Sequence, residues 1–196
     1  MKLKLFYSVL SILLFYGCVT TNKIYPVRMN RILDYYGFSI ERPLYNNWYL
    51  RPELQKPSKA LYYRDNTNKT YSVYFLALID TMQISDFDAY AEFHNKEYLC
   101  MNDSVRFILL ENKLEKVDTD SIPTYKFYAK TIDKGSINAP EKSLIIETTG
   151  FIRKHPFFPN KVLITQFSER GTNEDFKNSC IKESVYFFNS VKIKDN

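Results

Sequence analysis

The chain has 196 residues, 45% hydrophobic and 25% charged, with 16 Tyr, 15 Phe and only 5 Gly. That balance belongs to a folded domain and excludes disorder as the main state, as well as Gly-rich low complexity. The formal charge of +5 is too small for the concentrated basic stripe of a nucleic-acid binder, and the length suits one domain.

The N-terminus reads as an address. Lys2 and Lys4 precede an uncharged run from Leu5 to Phe15, which as a helix would be about 16 Å long at about 1.5 Å per residue. A bilayer core of about 30 Å needs roughly 20 apolar residues, so this run is too short to span and has the size and charge order of a secretory signal. Gly17 then stands directly before Cys18. Leu14, Gly17 and Cys18 resemble the lipobox of bacterial lipoproteins, with bulky Phe15 and Tyr16 where smaller residues are usual. The resemblance implies removal of residues 1–17, acylation of Cys18, and a product held on a membrane of the bacterial cell envelope, either the outer membrane or a membrane facing the periplasm. Loss of Lys2 and Lys4 lowers the net charge to +3. The alternative is an ordinary signal peptide cut elsewhere, with Cys18 incidental.

Residues 18–36, with Thr20, Thr21, Asn22, Lys23 and Pro26, read as a tether containing a short helical turn near Met29, Arg31 and Leu33. From Gly37 the pattern changes: Phe38 and Ile40 alternate with Ser39 and Glu41 as in a half-buried strand, and Pro43 ends it. Trp48 lies in a second extended piece before Pro52. Residues 59–65 and 70–80, rich in Tyr and Val around a polar break at 66–69, predict a hairpin. Ser85 as N-cap, with Asp86 and Asp88 in the first turn, predicts a helix over 85–100 whose apolar face is Phe87, Ala91, His94, Tyr98 and Met101. Strands follow over 105–110, 124–129, 143–148 and 161–167. No helix-length segment separates them, so they should be successive antiparallel neighbours. Thr172 or Asn173 caps a second helix with the stripe Phe176, Cys180, Ile181, Val185 and Phe188, and Val191 to Ile193 form a last extended piece. Without repeats or a domain-sized linker, residues 37–196 read as a single α+β domain, mainly antiparallel sheet packed with two helices.

That order of elements, with Gly37 to Pro43, then Trp48, then Phe187 to Val191 closing the last helix, resembles the PsbP-like fold of small exported proteins. The resemblance implies a non-catalytic accessory protein, although fold alone does not fix function.

Catalytic signals are sparse. His94 and His155 are isolated in sequence, and no nucleophile elbow, zinc-protease, dinucleotide or phosphate-loop pattern occurs. Asp86 with Asp88 reads as helix-start charge and Asp118 with Asp120 as a turn, so no metal or cofactor is expected. With Cys18 committed to lipid, an oxidising exterior permits a disulfide between Cys100 and Cys180; two separate buried thiols are the alternative. The most suggestive segment is Arg153 to Lys161, in which Phe157 and Phe158 stand between prolines and among cations. Two adjacent rings in a strand-connecting loop cannot share one sheet face, so at least one is a candidate contact for an envelope protein partner or for a membrane interface. Trp48 is a further candidate contact or a core plug. The expectation is a lipid-anchored, exported, non-catalytic binding or accessory module. A hydrolase acting on envelope polymers and a small apolar-ligand carrier remain as alternatives.

Overall fold

Long alternating stretches dominate the backbone. The computed structural model describes residues 25–26, 32–41, 47–51, 56–64, 70–99, 105–117, 121–135 and 140–195. Among them the strands are β1 (Tyr25–Pro26), β2 (Ile32–Tyr35), β3 (Phe38–Glu41), β4 (Trp48–Leu50), β5 (Lys59–Arg64), β6 (Ser72–Thr81), β7 (Phe107–Lys116), β8 (Thr124–Asp133), β9 (Leu144–Lys154), β10 (Lys161–Gly171) and β11 (Val191–Ile193). The helices are α1 (Phe87–His94) and α2 (Ile181–Ser190). A large antiparallel sheet runs β1-β4-β5-β6-β10-β9-β8-β7, and a small one runs β11-β3-β2. This is the single α+β domain expected, and β7 to β10 form the predicted meander.

β10 is the spine. Val162, Leu163, Ile164 and Thr165 are buried consecutively, so the strand has core on both faces. On one face, Leu163 and Phe167 join Val73, Phe75, Ala77 and Tyr62 beneath Phe187 of α2 and beneath Phe38, Ile40 and Val191 of the small sheet. On the other, Val162 and Ile164 join Ile152, Phe127 and Ala129 beneath Phe87, Tyr90 and Ala91 of α1. The two helices therefore cover opposite faces. At Gly150 a Cβ would come 2.1 Å from the Thr165 carbonyl oxygen and 2.4 Å from the Phe127 ring, so only glycine lets that ring lie across β9.

Several local expectations are corrected. Asp86, not Ser85, caps α1, accepting from the Ala89 N–H at 2.9 Å. The α-helix closes at His94 and continues as a π turn, Asn95–Leu99; the Tyr98 side chain and Met101 lie outside the described residues. α2 starts only at Ile181: Thr172 exchanges hydrogen bonds with Asp175, and the chain there makes a separate 3-10 turn, Asp175–Asn178, whose N-cap is Glu174. The stripe of α2 is also rotated. Ser184, Phe187 and Ser190 are buried, while Ile181 and Val185 are 38% and 59% exposed. The reason is that the Glu169 carboxylate of β10 takes the Cys180 N–H, fixing where the helix begins and which side it turns inward. Within 18–36, Leu33 lies in β2 opposite Ile40, since pairing with β3 satisfies backbone groups that a lone helical turn would leave open.

Candidate functional site

The β9–β10 turn, 155–160, sits at one end of the large sheet, where Thr81 pairs with Lys161 and Lys154 pairs with Val162. His155 organises it. The imidazole is 1% exposed; Nδ1 accepts from the Phe157 N–H at 3.3 Å, which leaves Nε2 to donate to the Gly37 carbonyl at 3.1 Å. That carbonyl also accepts from the Lys194 N–H at 2.9 Å, so one oxygen ties together the β2–β3 turn, the C-terminal strand and the β9–β10 turn. Gly37 has φ 78°, which only glycine adopts without strain in so tight a turn.

The rings then form a ladder. Phe158 lies 4.6 Å from His155 and stacks on Tyr36 at 5.4 Å, while Phe157 meets His155 edge-on at 6.1 Å. Phe158 is partly buried by this stack, whereas Phe157 and Tyr36 are 55% and 43% exposed. Pro156 and Pro159 are exposed beside them. Between Glu147 and Glu169 the chain carries Arg153, Lys154 and Lys161 and no carboxylate. The two neighbouring rings thus divide the work, one as knob and the other as its support.

Trp48 is wholly buried, packs edge-on against Phe187 at 4.6 Å, and donates from Nε1 to Glu183 at 2.6 Å. It plugs the core. Glu183 also takes Arg64 at 2.5 Å, and the same guanidinium lies 2.6 Å from Cys180 Sγ. Cys180 is a buried free thiol, held in its protonated form by desolvation that the Tyr71 hydroxyl and Arg64 only partly offset. Cys100 and Cys18 lie outside the described residues. Glu169 is saturated by the Tyr71 hydroxyl at 3.1 Å, the Ser179 hydroxyl at 2.7 Å and the Cys180 N–H, and desolvation pushes the Tyr71 phenol far up. These groups hold the α2 start in place, and their donors and acceptors are spent on one another.

His94 is on the opposite side of the sheet, stacked on Tyr90; burial pushes its imidazole below the ordinary histidine value, with Asp80 offsetting part of that. Among the described residues no three of His, Cys, Asp and Glu converge as a metal would require. Sequence reading did not find the buried Asp133. It takes Arg106 Nε at 2.8 Å, Arg170 at 2.9 Å and the Gly135 N–H at 3.0 Å. Its burial would raise the pKa, but these donors and charges hold the carboxyl below the usual range. Only the strand register shows that the start of β7, the end of β8 and the end of β10 bring these three charges together. A separate open groove of about 450 Å³ lies over β5 and β6, lined by Leu61, Leu76, Tyr63, Tyr74, Arg51 and Lys59.

The fold now has a counterpart. The chain is similar to Mog1. A solved Mog1 point mutant is 12% identical over 86% of this chain and 98% of its own, with a TM-score of 0.50. The Ran-binding protein Mog1p of Saccharomyces cerevisiae is 10% identical over 85% of this chain and 96% of its own, at 0.47. The cyanobacterial PsbP of Synechocystis is 11% identical over 91% of this chain and 96% of its own, also at 0.47. At such identities the likeness speaks for fold alone. No protein-family model matches the chain, and no curated protein does.

Proposed function

We propose that this chain is an exported lipoprotein of the bacterial cell envelope, anchored through acylated Cys18, that works as a non-catalytic binding or accessory module. The observation that carries the binding part is the aromatic end of the sheet: Phe157 stands 55% exposed against His155, whose ring packs on Phe158 and through it on Tyr36. A large ring already held in place loses little freedom on binding, the property that makes aromatic side chains effective contact residues. The anchor rests on Lys2, Lys4, the apolar run and Gly17-Cys18. Either a membrane or an envelope protein can supply the contacted surface.

Metabolic labelling with a palmitate analogue, together with the mass of the purified N-terminus, tests the anchor. Label on the wild type, lost in Cys18→Ser, is the expected result; an intact methionine start with an unmodified thiol would refute it. The groove over Leu61 and Leu76 favours a second reading, a carrier of small apolar ligands. It requires that Leu76→Arg abolish binding of an apolar fluorescent probe that the wild type takes up.

A further inference from the structure

Strand register gives the exposed aromatic end a direction relative to the anchor. Tyr25 pairs with Leu50, Leu50 with Tyr62, Tyr62 with Phe75, and Phe75 with Phe167, so Tyr25 lies in the same cross-sheet row as Phe167. Each of those pairings is antiparallel, which makes β1 run in the same sense as β10. The N-terminal end of β1 therefore faces the Lys161 end of the sheet, where Phe157 and Tyr36 are exposed. Phe167 is six residues from Lys161, or about 20 Å at about 3.4 Å per residue. Cys18 is seven residues before Tyr25, a reach of at most about 25 Å when extended. A tether of seven residues is thus long enough to bring a lipid anchor at Cys18 to the level of the aromatic end.

We propose that this end of the sheet is a membrane-seating face, with Phe157 and Tyr36 resting in the interface of the bilayer that holds the acyl chains of Cys18. Aromatic rings and cations are favoured together at that depth. Phe157 and Tyr36 supply the rings, while Lys154 and Lys161 flank the turn without a carboxylate between them. At this end Asp80, opposite Val162, accepts from the Tyr90 hydroxyl at 2.6 Å and the Thr81 N–H at 2.8 Å, while Asp34 and Asp88 pair with Lys194 at 2.8 Å and Lys116 at 3.2 Å. Seating would fix the domain's orientation and turn its far end, with the 3-10 turn Asp175–Asn178 and the start of α2, away from the lipid. The proposal rests on the lipoprotein reading, because the direction of the tether matters only if Cys18 carries lipid.

The test uses the full mature lipidated protein in phosphatidylcholine–phosphatidylglycerol vesicles, with and without brominated phosphatidylcholine as a short-range quencher. Trp48, the only tryptophan, is buried and supplies a silent background. Phe157→Trp and Tyr36→Trp report the proposed face, and Asn173→Trp, exposed in the turn beyond β10, reports the far end. Emission from the first two should fall several-fold with brominated lipid while the third is unchanged. Equal quenching of near and far reporters, or none in protein that floats with the vesicles, overturns the seating and leaves the anchor standing. Flotation and N-terminal mass read the anchor separately. An N-terminal mass without acyl chains overturns the lipoprotein reading and, with it, the seating.

Discussion

Truncating the two neighbouring rings should separate knob from support. Phe157 is 55% exposed, so Phe157→Ala removes less than half of a ring that fully buried would cover about 200 Å², an upper bound near 2 kcal/mol at about 25 cal/mol per Å² and nearer 1 kcal/mol once denatured-state burial is allowed for. Phe158 is mostly enclosed and makes two ring contacts, with His155 at 4.6 Å and Tyr36 at 5.4 Å. Phe158→Ala should therefore cost about 3–4 kcal/mol, combining lost burial with ring pairs worth about 0.5–1.5 kcal/mol each. At about 2–4 °C per kcal/mol for a chain of this size, the melting temperatures of the two variants should differ by roughly 4–12 °C. Circular-dichroism melts with urea midpoints read this directly. Equal losses, or a larger loss for Phe157→Ala, would refute the division of roles and place the outer ring in the core. Phe157→Ala should also be the variant that loses contact function while remaining folded.

The buried charge network makes its own predictions. Asp133→Asn leaves Arg106 and Arg170 facing a neutral group, and should cost about 2–3 kcal/mol by urea denaturation after allowing for the partly exposed guanidiniums. Because the Asp133 carboxyl is held below its ordinary range, its stabilisation is present above about pH 4 and lost as pH falls through the lower folded value; in Asp133→Asn this acid-dependent part should vanish. The His94 imidazole is pushed down by burial, so the folded state binds fewer protons than the unfolded one. Stability should be full above about pH 6.5 and decline below it, and His94→Phe should flatten that slope in midpoints taken between about pH 7 and 5. Gly150→Ala should cost about 3 kcal/mol or more, or give no soluble protein, because its Cβ collides with backbone as well as with Phe127; a melting temperature within about 2 °C of wild type would refute this.

Periodicity made the long strands legible. β7, β8, β9 and β10 all fall where alternation and turn residues place them, yet each extends past its predicted end. Lys113, Lys116, Lys130 and Lys154 lie in those extensions, and propensity alone treats such residues as strand ends. In the folded sheet cross-strand charge supports them, as in the Lys130–Glu147 pair at 2.7 Å. The helices were less legible for a different reason. Stripe counting on 176–188 assumed one continuous helix, but two nearby carboxylates, Asp175 and Glu169, stop and restart the chain and rotate the buried side onto Phe187. Only the first of these is local in sequence; the second comes from the preceding strand, through tertiary contact.

The same distinction explains the candidate site. That Phe157 and Phe158 could not share one face followed from the alternation of side chains along a strand. Which of them is exposed did not follow, because the choice is made by His155, whose ring nitrogen takes the Phe157 N–H and whose face takes Phe158. His155 in turn is oriented by the carbonyl of Gly37, 118 residues away in sequence. An isolated histidine therefore gives no signal in the sequence even though it sets the geometry of the exposed ring. The direction of β1 is hidden in the same way: two residues inside what reads as a tether set, by their pairing partner, which end of the sheet the start of that strand faces.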